Sequence, residues 1–511
     1  MRPTLLIAAL AALLLAPVAA AKPKSADLIL WGGPIYTGEA GRGPVAALAI
    51  KDGAVLEAGV RTRIARLRGP KTEILDLRGA AAFPGFTDSH VHVSGVGARE
   101  LTFNLDAITS IGELAAALKA RAAGMKDGDV LVGRGWIETH WPEARFPTRA
   151  DLDAAAPGIA VILQRADGHA LVANSLALQR AGIDAATKPP AGGDILRDAS
   201  GAPTGMLIDN AMDLMAPVAA RAARPSLRAS LDAAMRVYPA LGWTGAHNMS
   251  VDWDEVLELE AMDRAAPLPL RVYNSVTPQA SEKLFASGQR RSPDGLVTTR
   301  AIKFYADGAL GSRGAALFEP YADAPGARGL VLMRPEDADP LFARALRDGL
   351  QIATHGIGDR GNALILDAFT RAYAAVPNAQ RAIAAPRWRI EHAQVIRPQD
   401  MPRFKAMEII ASMQPSHAIG DLYFAPARLG PDRLKGAYAW RTLTGLGVTI
   451  AGGSDAPVEK GDPLIEFYAA VARKSLDGFT GPGWHPEEAV DRAAALAMFT
   501  TAPAFAAFEE T

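Results

Sequence analysis

Short apolar runs alternate with helical patterns of apolar and polar residues from residue 83 to the end of the chain. The helical pattern of residues 341–350, for instance, leads directly into the apolar run of residues 351–355. Repeated pairs of a strand and a helix predict parallel strands, in an open sheet or a barrel. We count eight such strands, the number in a TIM-like (β/α)8 barrel of the α/β class. They are residues 83–92, 244–249, 270–276, 301–307, 350–355, 388–394, 409–417 and 448–455.

An insertion interrupts this pattern after the first barrel strand. The interval from His92 to Lys303 is far longer than three strand-and-helix steps of somewhat more than about 30 residues each would need. We therefore predict an insertion subdomain at residues 99–224, near the barrel mouth. The barrel then comprises residues 83–98 and 225–511, and residues 22–82 form a separate small unit of short strands and turns.

The first residues have the pattern of a signal peptide. One positive charge, at Arg2, precedes an uncharged run at residues 5–18, and three alanines end at Ala21. This pattern predicts that residues 1–21 are removed by cleavage near Ala21 and that the protein is exported, most simply to a bacterial periplasm. An uncleaved anchor is the alternative. Because the apolar run is shorter than the roughly 20 residues that span a bilayer, we expect no stable membrane insertion.

Composition narrows the possible partners and the possible chemistry. The 54 lysine and arginine residues nearly balance the 55 aspartate and glutamate residues, which gives a formal net charge of −1. Such a chain has no bulk attraction for phosphate backbones, so we expect no nucleic-acid partner. The absence of cysteine excludes disulfides, thiolate metal sites and cysteine nucleophiles. Any metal must therefore be held by histidine, carboxylate or a less usual ligand.

Two histidines near the end of the first predicted strand have the spacing of a chelate. His90 and His92 share one face of a strand, whereas on a helix they would diverge. Three other predicted strands carry a candidate ligand at or near their C-terminal ends, namely His355, His392 and Asp455. Active sites of such barrels lie at the C-terminal ends of the strands, so these five residues predict a metal centre. For each histidine taken alone, a structural role in the core is the alternative.

Lys303 lies on the fourth predicted strand, on the same face as Tyr305 and Asp307. A protonated ammonium repels a cation and has no lone pair to donate. Lys303 can therefore be a metal ligand only as a carbamate, after reaction with carbon dioxide. A salt bridge is the alternative role for this lysine.

The order of these residues along the eight strands, His-x-His, Lys, His, His and Asp, resembles that of the amidohydrolase superfamily. The finer resemblance is to amidohydrolase family 3, which includes enzymes similar to N-substituted formamide deformylase. It covers nearly the whole chain after the predicted signal peptide. The matching motifs are Phe83-Pro-Gly-Phe-Thr-Asp-Ser-His-Val-His, Gly135-Trp136 with Trp141, Asp167-Gly-His169 with Asn174-Ser, Pro203-Thr-Gly205, Lys303 with Asp307-Gly, Arg389-Ile-Glu-His392, Ser412-Met-Gln-Pro-Ser-His417 and Gly453-Ser-Asp455.

The resemblance implies a centre of one or two divalent metal ions, zinc by preference. It also implies that Lys303 is carboxylated and bridges the two ions. The ligands assigned on this basis are His90, His92 and Asp455 for one ion and His355 and His392 for the other.

The family fold also includes a small β-sandwich, to which residues 22–82 would contribute the N-terminal portion. Members usually continue after the final helix with strands that complete the sandwich, but this chain ends at Thr511 without them. We therefore expect an incomplete sandwich.

These expectations define a metal-dependent hydrolase that cleaves a non-peptide C–N bond of an amide, an N-substituted formamide or a cyclic amide. Bound metal lowers the pKa of a water toward 7 and polarises the substrate carbonyl, so the attacking group is a metal-bound hydroxide. Asp455 would accept the proton of the attacking water and return it to the leaving nitrogen. Five further residues either line the substrate pocket or pack in the core: Trp136, Trp141, His169, Gln414 and His417.

Two other functions stay open at this point. The same chemistry would hydrolyse an ester or a lactone, and a catalytically inactive periplasmic protein that binds metal or ligand is a candidate from a different class. Intact Asp455 argues against the inactive protein, because a metal store needs no carboxylate placed for proton transfer. The expected partner is a small-molecule amide, and the sequence leaves open whether subunits pair as a homodimer.

Overall fold

The computed structural model describes residues 25–39, 41–136, 138, 141–143, 145–165, 170–190, 193–222, 225–311, 313–480 and 484–510. The chain divides into two compact units, residues 1–84 and residues 85–511. Residues 1–21, the predicted signal peptide, and His169, a predicted substrate contact, lie outside the described residues. None of the helices in the described part of the chain combines the length and apolarity needed to cross a membrane.

The first unit contains a four-stranded sheet. In spatial order its strands are β3 (Ala54–Gly59), β2 (Val45–Lys51), β1 (Leu28–Ile35) and β4 (Glu73–Asp76). The pairs β1–β2 and β2–β3 are antiparallel, whereas β4 runs parallel to β1 at the opposite edge. Alternate residues on one face, such as Ile29, pack against Ile64 of the short helix Arg61–Ile64. This sheet is one layer, and its membership of a sandwich stays a prediction.

The second unit is built on eight parallel strands that form the barrel. In spatial order they are β5 (Phe86–Val91), β12 (Trp243–Val251), β13 (Arg271–Val276), β15 (Val297–Tyr305), β16 (Gln351–Gly356), β17 (Arg389–His392), β18 (Ile410–Met413) and β19 (Ile450–Gly452). The two-residue strand β14 (Arg290–Arg291) pairs antiparallel with β15 beside this order.

The barrel is nearly closed between its first and last strands. The Asp455 N–H after β19 donates to the carbonyl of His90 on β5 at 2.7 Å, and the His92 N–H donates to the carbonyl of Ala456 at 2.9 Å. The predicted TIM-like barrel is confirmed, and each of the eight predicted runs overlaps one of these strands.

The structure corrects the end of the seventh predicted strand, residues 409–417. The strand β18 ends at Met413, and the chain continues as the helix Pro415–Asp421. Pro415 occupies the first turn of that helix, where its fixed φ is favourable and its missing N–H costs no hydrogen bond. His417 therefore lies on a helix and not on a strand.

Helices separate the strands of the second unit; those outside the insertion bury apolar residues in the core around the barrel, and those inside it pack into the insertion's own clusters. The longest, Asp359–Ala375, packs Ile365, Leu366 and Phe369 into the main core. The other helices of this unit, including short ones, are Val93–Leu101, Ile111–Ala122, Arg149–Ala155, Ser175–Ala181, Ala216–Ala219, Leu227–Leu241, Trp253–Ala265, Ser281–Ser287, Pro335–Asp348, Met401–Ala406, Pro415–Asp421, Ala425–Leu434, Trp440–Gly445, Pro463–Ala472, Arg492–Phe499 and Thr501–Ala506.

A second sheet lies in the chain between β5 and β12. In spatial order its strands are β10 (Gly193–Arg197), β11 (Pro203–Asp209), β9 (Ala170–Ala173), β8 (Ala160–Arg165), β7 (Val130–Trp136) and β6 (Phe103–Asn104). Its two faces pack into separate apolar clusters, one around Leu163 and one around Ile162. The sheet falls within the insertion predicted at residues 99–224, whose boundaries stay a prediction.

Candidate metal centre

Two histidines and an aspartate that are far apart in the sequence meet at the mouth of the barrel. His90 on β5, His392 at the end of β17 and Asp455 after β19 place their ligand atoms within 4.8 Å of one another, and all three are buried. Nε2 of His90 lies 3.5 Å from Oδ1 of Asp455, and Nε2 of His92 lies 3.2 Å from the same oxygen. The spacing of His90 and His92 on extended backbone thus brings both imidazoles to one carboxylate.

Lys303 and His355 border the same cluster. The Nζ of Lys303 lies 3.3 Å from Nε2 of His90. The ring of His355 lies 4.5 Å, centroid to centroid, from that of His392, and the ring of His392 lies 4.7 Å from that of His90. All six residues predicted as ligands therefore lie in one cluster at the C-terminal ends of the strands, and their role as ligands stays a prediction.

Hydrogen bonds on Nδ1 orient three of the imidazoles. Nδ1 of His90 lies 2.7 Å from Glu391 Oε2, that of His92 lies 3.0 Å from the carbonyl of Met249, and that of His392 lies 2.8 Å from Gln414 Oε1. An acceptor at Nδ1 places the ring proton there and leaves the lone pair of Nε2 free. This is the usual arrangement around histidines that bind metal.

Glu391 also belongs to a buried network beneath the cluster. Arg389 donates from Nε to Glu391 Oε1 at 2.7 Å, and from Nη2 to the Ser412 hydroxyl and the carbonyl of Ser89, each at 2.7 Å. Burial opposes ionisation of Glu391, but Arg389 and then His90 outweigh it and hold the pKa of this carboxyl well below its usual range.

Sequence reasoning assigned no role at the site to Arg389 and Glu391. The available signal was two charged residues at alternate positions of a predicted barrel strand, which places both on one face of that strand. Buried charges need partners, so this pattern indicated a buried polar network.

The ionisation states in the cluster suit a cation. Burial and the charge of Lys303 lower the pKa of His90 to about 4 and that of His355 to about 3, so both imidazoles are neutral near pH 7 and have a lone pair to donate. Burial raises the pKa of Asp455, but the surrounding imidazoles, His90 first, outweigh it and hold this pKa well below its usual range. Burial lowers the pKa of Lys303 to about 8.

One oxygen decides whether these residues fit a divalent metal. Oδ1 of Asp455 is buried and accepts no hydrogen bond from the described residues, although two imidazole nitrogens lie within 3.5 Å of it. A buried anionic oxygen without a partner is costly, and a cation bound by neutral imidazole and carboxylate removes that cost. The donor set therefore fits a divalent metal ion.

The four described residues that were predicted as substrate contacts fall into two groups. Trp136 and Trp141 lie in the core of the insertion, where their indole N–H groups donate to the carbonyls of Leu163 and Ile108 at 2.8 and 3.1 Å. This packing matches the alternative that the sequence left open for both tryptophans, and their contact with substrate stays a prediction.

The other two lie at the cluster itself. Gln414 holds Nδ1 of His392, as described above, so it supports a predicted ligand. Nε2 of His417 lies 3.6 Å from Oδ2 of Asp455. This nitrogen is buried and forms no hydrogen bond with any of the described residues. His417 is thus available to contact a substrate beside Asp455, and this role stays a prediction.

Comparison with known proteins agrees with this geometry. The sequence pattern of the amidohydrolase family matches residues 73–511. This chain belongs to the amidohydrolase family. It is therefore a metal-dependent hydrolase that acts on C–N bonds other than peptide bonds, and its substrates are small molecules.

Individual relatives are similar over nearly the full length of this amidohydrolase. The Bacillus subtilis (strain 168) protein YtcJ, named as an amidohydrolase, is 34% identical over 488 residues, which cover 94% of this chain and 90% of YtcJ. The N-substituted formamide deformylase of Arthrobacter pascens is 27% identical over 495 residues, 94% of this chain and 89% of that enzyme. A solved metal-dependent hydrolase from Pyrococcus furiosus is 28% identical, covers 94% of this chain and 95% of its own, and superposes with a TM-score of 0.73.

Proposed function

We propose that this amidohydrolase cleaves the C–N bond of an amide, an N-substituted formamide or a cyclic amide, with zinc as its preferred metal. The observation that carries the proposal is the meeting of imidazoles, an amine and a carboxylate at Asp455, whose Oδ1 accepts no hydrogen bond from the part of the chain that the structure describes. The similarity to a relative named N-substituted formamide deformylase supports this substrate class. The residues that would hold the metal are His90, His92, Lys303, His355, His392 and Asp455.

Asp455 is the residue that would move the proton in this reaction. When bound, the metal supplies Lewis acidity, which acidifies water and polarises the carbonyl of the substrate. The Asp455 carboxylate is ionised and buried at the cluster, so it can accept the proton of the attacking water. It then returns this proton to the leaving nitrogen, which departs as a neutral amine.

Lys303 would act as a carbamate. Its Nζ is buried, and burial lowers its pKa to about 8, so the neutral amine that reacts with carbon dioxide is far more abundant at neutral pH than on an exposed lysine. The neutral amine forms an N–C bond to carbon dioxide and releases one proton, which leaves an anionic carbamate; starting from the protonated lysine, two protons are released in all. A carbamate there would provide oxygen ligands beside His90, which is 3.3 Å away.

The decisive experiment pairs the substitution Asp455→Asn with metal analysis and an amide panel. We expect the variant to keep its metal, because the amide oxygen remains, and to lose about 10² to 10⁴-fold in turnover. Asp263→Asn is the matched control, since Asp263 is a buried carboxyl that accepts a backbone hydrogen bond from Leu268. Near-normal turnover by the Asp455 variant would remove Asp455 from the mechanism.

The same panel separates the proposed activity from its competitors. N-formyl amines, linear amides, cyclic amides and lactones are incubated with the enzyme, with and without a chelator. Chelator-sensitive hydrolysis of the amides supports the proposal, whereas hydrolysis of lactones alone would make the protein a lactonase. Bound metal without hydrolysis of any compound would indicate an inactive binding protein.

We also propose that the protein is exported after removal of residues 1–21. The proposal is supported by the charge at Arg2, the uncharged run that follows and the alanines that end at Ala21. Mass spectrometry of the mature exported protein tests it. An N-terminus at Met1 or Arg2 would contradict cleavage.

A further inference from the structure

A buried carboxylate joins the two chain segments that carry the predicted ligands. Asp88 lies two residues before His90 and is fully buried. Its Oδ1 accepts the backbone N–H groups of His90 at 3.1 Å and of Ser454 at 2.9 Å. Its Oδ2 accepts the hydroxyl groups of Tyr238 at 2.9 Å and of Ser454 at 2.5 Å. Four hydrogen bonds from three residues thus converge on one side chain.

The segment that contains Asp88 and His90 is in close contact with the segment that contains Gly453 and Asp455. A Cβ at Gly453 would lie 2.5 Å from the backbone nitrogen of His90 and 2.9 Å from Oδ1 of Asp88. In addition, the backbone N–H of Asp455 donates a hydrogen bond to the carbonyl of His90. The position of Asp455 relative to His90 is therefore set by the contacts around Asp88.

The backbone of Asp455 has a conformation that needs such support. Its φ is +60°, in the left-handed region that favours glycine. A non-glycine residue keeps such a strained conformation only when its surroundings determine it. Ser454 precedes it and is held by Asp88, and the Ser454 hydroxyl also accepts the N–H of Ala456 at 3.0 Å. The residues on both sides of Asp455 are thus tied to one carboxyl group.

We propose that Asp88 is a positioning residue for the metal centre. With Ser454 and Tyr238 it sets the distance of the Asp455 carboxylate from the imidazoles of His90 and His92, and so the affinity for metal. This inference rests on the proposed metal centre. Both oxygens of Asp88 are occupied by these four hydrogen bonds, so we assign it no role as a metal ligand.

Two substitutions of Asp88 separate positioning from other roles. Asparagine keeps an oxygen for the two backbone N–H groups and presents an amide to the hydroxyls of Ser454 and Tyr238, which can accept as well as donate. The Ser454 hydroxyl, which already accepts the N–H of Ala456, can then donate to the Tyr238 hydroxyl, which lies 3.2 Å away. We therefore expect Asp88→Asn to preserve the arrangement and Asp88→Ala to lose it.

The experiment measures zinc affinity of chelator-stripped protein by competition with a chromogenic chelator, alongside the unfolding temperature of the metal-free protein. We expect Asp88→Ala to raise the zinc dissociation constant about 10 to 100-fold, the usual effect of removing an outer partner of a metal site. Asp88→Asn is expected to stay within about threefold of the unaltered protein. Asp263→Ala is the matched control, because it removes another buried carboxyl that accepts a backbone hydrogen bond. It should lower the unfolding temperature and leave zinc affinity unchanged.

If Asp88→Ala does not fold, Ser454→Ala replaces it. This variant keeps both backbone hydrogen bonds to Asp88 and removes those made by the Ser454 hydroxyl, and we expect zinc affinity to fall about 3 to 10-fold. Zinc affinity that is unchanged in these variants, or that falls equally in the Asp263 control, would overturn the inference and leave the metal centre standing. Unaltered protein that binds no zinc would overturn both.

Discussion

Glu391 and His90 lie side by side in the barrel, with Oε2 of the carboxylate 2.7 Å from Nδ1 of the imidazole and both side chains fully buried. The other oxygen of Glu391 accepts from Nε of Arg389 at 2.7 Å. One carboxylate therefore orients a predicted metal ligand and neutralises a buried cation at the same time.

We predict that Glu391→Gln weakens both functions. Zinc affinity should fall about 10 to 100-fold, because glutamine has a single acceptor oxygen where the carboxylate serves His90 with one oxygen and Arg389 with the other. The free energy of unfolding should fall by about 3–5 kcal/mol, because the Arg389 guanidinium stays buried without its counter-charge. Chelator competition and denaturant unfolding of the metal-free protein measure the two effects separately.

The exposed ion pair between Arg344 and Glu282 supplies the control. Glu282→Gln removes one carboxylate of the same type at the surface and should change the free energy of unfolding by less than about 1 kcal/mol. Equal effects of the two substitutions would show that the buried pair has no special role.

Gly453→Ala should damage the metal centre through backbone contact alone. The added Cβ would lie 2.5 Å from the nitrogen of His90, a distance that forces the two segments apart. We expect zinc affinity and turnover to fall at least about tenfold, together with a loss of stability.

Gly445→Ala provides the comparison for this substitution. Gly445 ends a helix, and a Cβ there would have no atom of the described residues within 4 Å. The free energy of unfolding of this variant should be unchanged or higher by up to about 1 kcal/mol. Normal zinc binding by Gly453→Ala would contradict the close contact between the two segments.

Removal of the metal should lower both activity and stability. A metal that binds the folded chain alone stabilises it by about 2.7 kcal/mol at a free concentration of 100 times its dissociation constant. We therefore expect chelator treatment to abolish hydrolysis and to lower the unfolding temperature, and added zinc to restore both. Calorimetry with and without zinc makes this measurement. An unfolding temperature that does not respond to zinc would argue against a site formed by the folded barrel.

The insertion contains a separate carboxylate whose effect should depend on pH. Asp151 accepts the Thr148 N–H at 2.7 Å at the start of the helix Arg149–Ala155 and pairs with Arg145. The Arg145 hydrogen bond, against partial burial, lowers the pKa of Asp151 to about 2. The ionised Asp151 therefore stabilises the folded protein fully at a pH above about 4, the pKa of this carboxyl in the unfolded chain. This stabilisation is lost as the pH falls toward about 2, the pKa in the folded protein.

Asp151→Ala should accordingly lower the free energy of unfolding by about 1 kcal/mol at pH 7, the usual value for a lost helix cap. The difference from the unaltered protein should shrink between about pH 4 and pH 3. Denaturant unfolding of both proteins across this pH range measures the difference in the free energy of unfolding. If this difference did not depend on pH, the effect would arise from helix propensity and not from the charge of Asp151.

Much of the fold and of the predicted centre could be derived from the sequence because the signals are local. Apolar runs of strand length, separated by helical patterns, predict the barrel regardless of what each strand contacts. Alternation along a strand likewise places His90 and His92 on one face. The ends of barrel strands then indicate where residues such as His392 and Asp455 come together.

The sequence by itself therefore determined the barrel and the side chains that line its mouth. Only the tertiary structure decided which partners orient them, Glu391 beside His90 and Asp88 beside Ser454. It also decided that Trp136 packs inside the insertion core. The first of these pairs is separated by 301 positions and the second by 366. Periodicity reports which face of an element is buried, but contacts between such distant residues arise only when the strands close into a barrel and their side chains meet in its interior.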